Sequence, residues 1–143
     1  MRRLSTLTAA TGLAAVGALH VVWATGSPWP LPDKRQLTEA VSGRAGDDPP
    51  SPAACLAVAG LLGTAASLVG GSPRRWPPVS RIGSAGVVAV LTTRGLFGLA
   101  GRSDLISPGS ESERFRRLDR RIYSPLCLTL ATLALPAVLT SAR

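Results

Sequence analysis

The chain has very few of the residues that carry redox or metal chemistry. Its 143 residues include two cysteines and one histidine, His20. Cys55 and Cys127 do not form a C-x-x-C pair, so neither a redox motif nor a closed metal site can be assembled from one chain. We expect both cysteines to be packing residues. No Ser-His-Asp set or phosphate-binding loop is present either, so no cofactor or catalytic residue is assigned, and the chain is more typical of a non-enzyme.

Aromatic residues are also scarce, which argues against nucleic acid as the partner of this basic chain. Sixteen Lys and Arg against 8 Asp and Glu give a formal charge of +8, but there are only three Trp, two Phe and one Tyr. Nucleic-acid modules interleave aromatic and basic residues or present a helix to a groove. Here the charges are confined to short clusters, and we predict no nucleic-acid partner.

What the sequence has instead is four apolar segments between the charged clusters. Each is close to the roughly 20 residues that cross a bilayer core. The segments are Leu4–Thr25, Pro52–Gly70, Val79–Gly101 and Ile122–Ser141. Backbone groups in hydrocarbon must bond within their own segment, which favours helices here. We therefore predict an all-α integral membrane antiparallel four-helix bundle, a single membrane domain over residues 1–143, in the lipid bilayer of the cell membrane.

The first segment and the orientation of the bundle each admit two interpretations. The basic start and the small residues near Ala24 resemble a cleavable signal peptide, but the apolar run exceeds the usual ~7–15 residues, and three more spans follow. The two sides of the membrane receive six and nine Lys and Arg, which favours the N-terminus outside. The start "MRR" favours the N-terminus inside, and we prefer this orientation because the first helix usually dominates.

Small residues recur at helical spacing in the apolar segments, where they allow helix backbones to approach closely. The three sets are Ala10/Ala14/Ala18, Gly60/Gly63/Ser67 and Ala85/Ala89. We expect these faces to form the contacts between helices.

The loops hold further signals. Asp33 and Gln36 predict the start of a short surface helix that ends at Gly43. In the turn between the second and third segments, Trp76 is placed at interfacial height.

A short amphipathic interfacial helix is predicted before the fourth span. Ser110 and Glu113 have capping-box spacing, and Phe115, Leu118 and Ile122 would form its apolar face.

Ser124 and Pro125 suit the start of a new helix, with Ser124 as its N-cap after a sharp bend. A continuous, kinked helix is the alternative. In that case Asp119, Tyr123 and Cys127, spaced i, i+4, i+8, would share one face.

Unusual side chains converge in one half of the bilayer, on the side of the two long loops. The candidate binding residues are His20, Trp23, Arg94, Asp119, Tyr123 and Cys127. Arg94 is the only charge inside the four segments; it could extend to the interface, pair with a residue such as Asp119, or bind a ligand. His20 could relay protons or bind a ligand, but beside Trp23 we favour an interfacial anchor that bonds a backbone carbonyl.

Three stretches resemble the signature blocks of a known family. They are ALHVVWATGSPWPL, TTRGLFG and RFRRLDRRIYSPLCLTLA, of which the last is the most specific. In them the chain is similar, over nearly its whole length, to a bacterial family of small four-span membrane proteins classified as a domain of unknown function. The resemblance implies the four-helix membrane fold and supplies no reaction.

Three functions stay open. A pocket on the long-loop side would use the candidate residues to bind a small amphipathic or anionic molecule. Alternatively, the chain is a non-catalytic accessory subunit of a larger membrane complex or a structural membrane protein, in which the same residues fix the bundle. A small transporter is a weaker third: no carboxylate pair lies inside the membrane, and four helices would need to form a homo-oligomer.

Overall fold

The structure, a computed structural model, describes residues 1–44, 50–71, 77–105, 109 and 112–139. Its helices are α1 (Arg2–Ala24), α2 (Lys34–Ser42), α3 (Pro52–Gly70), α4 (Pro77–Leu99), α5 (Glu113–Leu118) and α6 (Ser124–Leu139). A 3₁₀ turn covers Ser103–Leu105, and a π-helical turn, Asp119–Tyr123, joins α5 to α6. No strand occurs in the described ranges, and the all-α prediction is confirmed.

Four helices are long and apolar enough to cross a membrane, as predicted. They are α1, α3, α4 and the continuous helix Glu113–Leu139 that contains α5, the π turn and α6. Large apolar side chains on their outer faces are exposed, among them Leu61, Ile82, Val90 and Leu139. A protein in water would bury such a surface, whereas a lipid-facing protein has no reason to do so. The chain is therefore a multi-pass membrane protein.

The spanning helices pack in pairs that run in opposite directions. Gly17 of α1 lies beside Leu62 of α3, and Ala10 lies beside Gly70, so the earlier residue of one helix meets the later residue of the other. In the same way, Gly95 of α4 lies beside Leu128 of α6, and the later Gly98 lies beside the earlier Ser124. The buried core cluster lies among α1, α3 and α6 and consists of Ala9, Leu13, Val69, Leu130 and Ala134.

The predicted contact faces of small residues are mostly wrong. Gly60 and Gly63 have open space where a Cβ would be, and Ala14, Ala18, Ser67, Ala85 and Ala89 are exposed. On α1 the buried residues are Ala9, Leu13 and Gly17, one position before the predicted set. Small residues occur on several faces of α1, so their spacing alone could not determine which face is turned inward.

The predicted surface helix is present as α2. The Asp33 carboxylate caps it by accepting hydrogen bonds from the backbone N–H and the side chain of Gln36, at 2.8 Å and 3.0 Å. The backbone hydrogen bond from Gln36 holds the pKa of Asp33 below its usual value. Gly43 ends the helix with a φ of 69°, a left-handed conformation that suits glycine.

The region before the fourth span differs from its prediction in two ways. The N-cap of α5 is Ser112, whose Oγ accepts the backbone N–H of Phe115 at 3.0 Å; Ser110, like Trp76, lies outside the described residues. Phe115 is buried within the protein, whereas Ile122, which was predicted to lie on the same apolar face, is 51% exposed. The π turn between them changes the rotation of the helix, so the α-helical spacing misplaces Ile122.

Candidate functional site

Arg94 and Asp119 form a buried ion pair between α4 and the π turn. Arg94 Nη2 donates to Asp119 Oδ1 at 2.8 Å, so the predicted partner is the observed one. The Asp119 side chain is 1% exposed and that of Arg94 is 27% exposed. Arg94 is therefore paired with Asp119 and does not simply extend to the membrane interface.

Two serines complete the hydrogen bonding of the Asp119 carboxylate. Ser124 Oγ donates to Oδ1 at 3.1 Å, and Ser103 Oγ, from the 3₁₀ turn after α4, donates to Oδ2. Both serines are buried. A buried carboxylate is costly unless it is paired and hydrogen-bonded, and here donors from α4, the loop after it and the last helix meet on one group.

The end of α4 places Ser103 beside this carboxylate. Gly101 has a φ of 70°, and the backbone N–H groups of Gly101 and Arg102 donate to the carbonyls of Gly98 and Phe97. This pattern is a Schellman motif, which terminates a helix and reverses the chain. Ser103 follows directly and is turned back toward the bundle.

The π turn brings Ser124 to the same side as Asp119. Its backbone N–H bonds the Asp119 carbonyl, five residues earlier, whereas residues five apart in an α-helix lie about 140° apart around the axis. Pro125 explains the wide turn, because proline has no N–H for the Arg121 carbonyl and its ring would clash with that carbonyl in an α-helix.

The prediction that Ser124 is an N-cap is therefore wrong. Its φ and ψ are −68° and −47°, which are helical, and the helix continues through it. The continuous-helix alternative is the observed one. Ser124, rather than Tyr123, shares the side of Asp119.

Two glycines on α4 allow this close approach. A Cβ at Gly98 would overlap Ser124 Oγ and would lie 2.8 Å from Arg94 Nη1 and 2.9 Å from Asp119 Oδ2. A Cβ at Gly95 would lie 2.6 Å from Leu128 Cγ. Glycine is needed at both positions because the two backbones approach so closely here.

One polar atom of the pair has no partner. Arg94 Nη1 is buried, and its N–H groups donate to no acceptor among the described residues. Buried donors usually have a partner, so this atom marks a point where a further oxygen atom would be stabilised.

Tyr123 and Cys127 lie farther along the same helix. The Tyr123 hydroxyl donates to the carbonyl of Ala40 at 3.0 Å, which fastens α2 to the last helix, and its ring packs near that of Phe115. Cys127 is half-buried, whereas Cys55, at the start of α3, is buried. Neither Tyr123 nor Cys127 forms a hydrogen bond with Arg94 or Asp119.

His20 and Trp23 form a separate group at the end of α1. His20 Nδ1 lies 2.8 Å from the Val16 carbonyl, and its ring centroid is 4.7 Å from that of Trp23. Trp23 Nε1 donates to the Trp29 carbonyl at 2.8 Å. In the described part of the chain no hydrogen bond joins these rings to Arg94 or Asp119, and the geometry agrees with an anchoring role for His20.

The sequence interpretation missed Ser103, Gly98 and the role of Ser124. Ser103 carries no motif, and the alignment of Ser124 with Asp119 exists only across a π turn. The one available signal was Pro125, which follows Ser124 and disfavours a regular α-helical turn. Within the described residues, no three His, Cys, Asp or Glu side chains are grouped as a metal site would require.

Comparison with known proteins gives a family without an assigned activity. No curated protein and no solved structure matches the chain. The family model described as "Protein of unknown function (DUF3995)" matches residues 13–134. That range includes every candidate residue and most of the four spanning helices, and the chain belongs to the DUF3995 family of proteins of unknown function.

Proposed function

We propose that the chain is a non-catalytic membrane protein, an accessory or structural component, whose intramembrane charges hold its own helices together. The observation that carries this proposal is the environment of Asp119. Its carboxylate accepts hydrogen bonds from Arg94, Ser103 and Ser124, all within the chain. A carboxylate with these partners needs no substrate or external cation to be stable in its buried position.

Such a role would depend on contacts at one end of the bundle. The ion pair connects α4 to the last helix at the end of the bundle where α2 is also attached through Tyr123. In lipid, apolar faces do not drive helices together, so polar contacts and close packing set how the helices are joined. The network would hold the surface formed by α2 and α5 in a fixed position for a neighbouring membrane component.

A double-mutant cycle tests this proposal. Arg94→Ala or Asp119→Ala strands a charge in a poor dielectric and should each cost about 3–5 kcal/mol of stability. The double variant should recover much of that loss. Folded yield and melting temperature in detergent are the measurements, and Arg81→Ala, which changes an exposed arginine of the same helix, is the control. Single variants as stable as the wild type would contradict the proposal.

A second function has one observation in its favour, the unpartnered Arg94 Nη1. Because Asp119 already neutralises the guanidinium, an uncharged carbonyl or hydroxyl oxygen fits this atom better than a second anion would. The corresponding ligand is an amphipathic molecule whose polar end lies at Arg94, with Tyr123 and Cys127 as further candidate contacts.

Native mass spectrometry separates the two functions. A ligand held by Arg94 should co-purify with the wild-type protein and be absent from Arg94→Ala. A large loss of stability in that variant, with no bound molecule in the wild type, favours the structural role.

A further inference from the structure

A group of exposed arginines lies at the junction between α4 and the last helix, outside the Arg94–Asp119 network. We call it the arginine ridge and define it as Arg102, Arg117, Arg120 and Arg121, all of which are exposed. Arg116 has an interaction of its own and is not included.

The ridge has no acidic partner in the part of the chain that the structure describes. Ion pairs there join Arg94 to Asp119 and Arg114 to Glu39, so these two carboxylates are already used. Asp104 and Glu113 are exposed, and neither pairs with a ridge arginine among the described residues. Within the described ranges, the ridge is therefore an accumulation of positive charge without a neutralising carboxylate.

Backbone geometry concentrates this charge. The guanidinium of Arg120 lies directly against Gly101, at the C-terminal end of α4, and the residue after Gly101 is Arg102. Arg120 gains from the negative end of the helix dipole there. Arg102 adds a second exposed arginine at the same end of α4, and an anion bound there would be attracted by both charges.

Exposed apolar side chains adjoin the ridge on the side toward the bilayer. Ile122 directly follows Arg121 and is 51% exposed, and Leu126, four residues later, is 40% exposed. At the end of α4, Leu99 is 44% exposed. A soluble anion would use only the arginines, whereas a molecule with a charged phosphate and an acyl chain would contact both parts of this surface.

We propose that the arginine ridge binds the phosphate headgroup of an anionic phospholipid, whose acyl chain lies against Ile122 and Leu126. Guanidinium groups bind phosphate oxygens through paired hydrogen bonds, and clustered arginines beside a spanning helix are attracted to anionic lipid. The ridge would therefore favour anionic over uncharged phospholipids around the last helix.

The test is a titration of purified protein in detergent with short-chain phosphatidylglycerol, followed by native mass spectrometry. Phosphatidylcholine with the same acyl chains is the uncharged comparison, and inorganic phosphate is the comparison without acyl chains. The variant is Arg117→Gln/Arg121→Gln, which spares Arg120 at the end of α4. The matched control is Arg2→Gln/Arg3→Gln, which removes the same charge from exposed residues at the start of α1.

We expect the wild type and the control to bind phosphatidylglycerol more tightly than phosphatidylcholine. The ridge variant should bind phosphatidylglycerol roughly 25-fold more weakly, since each arginine near an anionic lipid surface contributes about a factor of five. Salt should weaken binding by the wild type. Without lipid, all three proteins should melt at the same temperature, because the Arg94–Asp119 network is intact in each.

Three results would overturn the proposal: equal affinity for the two lipids, unchanged binding by the ridge variant, or equal weakening in the control. Binding of inorganic phosphate with the same affinity as the lipid would instead assign the ridge to a free anion. None of these outcomes depends on the stability of the Arg94 and Asp119 variants, so the structural proposal above and this one fail separately.

Discussion

Two seams of the bundle hold their helices together by different means. The apolar seam, between α1 and α3, brings Gly17 against Leu62 and Ala10 against Gly70 and contains only small and aliphatic side chains at these contacts. The polar seam, between α4 and the last helix, has the same glycine-mediated closeness at Gly95 and Gly98 but encloses Arg94, Asp119 and Ser124. The apolar seam depends on side-chain size, whereas the polar seam also depends on which atoms face each other.

This difference affects how each seam tolerates change. In an apolar seam, a methyl group added on one helix can be offset by one removed from the other, because the contact has no direction. In the polar seam, a displaced carboxylate loses three donors at once, and a neighbour that merely becomes smaller does not restore them. The predictions below separate these two behaviours.

Among substitutions that leave both charges in place, the largest effect is expected for Gly98→Ala in the polar seam. The added Cβ would overlap Ser124 Oγ and crowd both members of the ion pair, so we expect a loss of about 3 kcal/mol in the free energy of unfolding. The control on the same helix is Gly86→Ala, where a Cβ meets open space and should stabilise the helix by up to about 1 kcal/mol. Unfolding in detergent measures both, and equal effects would show that the polar seam is not tightly packed.

The next effect tests the apolar seam. A Cβ at Gly70 would lie 2.6 Å from Ala10 Cβ, so Gly70→Ala should cost about 2 kcal/mol. Adding Ala10→Gly removes the clashing methyl, and the double variant should regain the loss except for about 1 kcal/mol of helix propensity. If the second substitution gives no recovery, the seam is not governed by size alone.

A smaller loss, about 1–2 kcal/mol, is expected for Ser124→Ala, which removes one of the donors to Asp119. The same substitution in an Asp119→Ala background should cost almost nothing, because the acceptor is gone. An N-cap serine would instead give the same loss in both backgrounds, so this cycle tests the reassignment of Ser124.

The two seams also differ in how far the sequence predicted them. The spans follow from apolar runs of bilayer length, and the pairing of Arg94 with Asp119 follows from the cost of an unpaired charge at membrane depth. The rotation of each helix does not follow, because α1 and α3 carry small residues on several faces, as Gly60 and Gly63 in open space demonstrate. The donors Ser103 and Ser124 were missed because a Schellman turn and a π turn place them, and neither placement is visible in α-helical spacing.

The smallest effect is expected for Ser84→Ala, a buried serine between α3 and α4. Ser84 Oγ donates to the Leu68 carbonyl at 3.1 Å, and Ser80 Oγ donates to the same oxygen at 3.4 Å. Leu68 is in the last turn of α3, where carbonyls lack a partner within the helix. The hydroxyl groups of Ser80 and Ser84 supply donors to its carbonyl oxygen. Ser84→Ala should therefore cost only about 0.5 kcal/mol, since Ser80 remains, whereas Ser80→Ala/Ser84→Ala should cost about 1–3 kcal/mol by removing both hydroxyl donors to this oxygen. Unfolding in detergent measures the two losses, and a single loss as large as that for Ser124→Ala would mean that Ser80 does not replace Ser84, and that a backbone acceptor here is as demanding as the carboxylate of the polar seam.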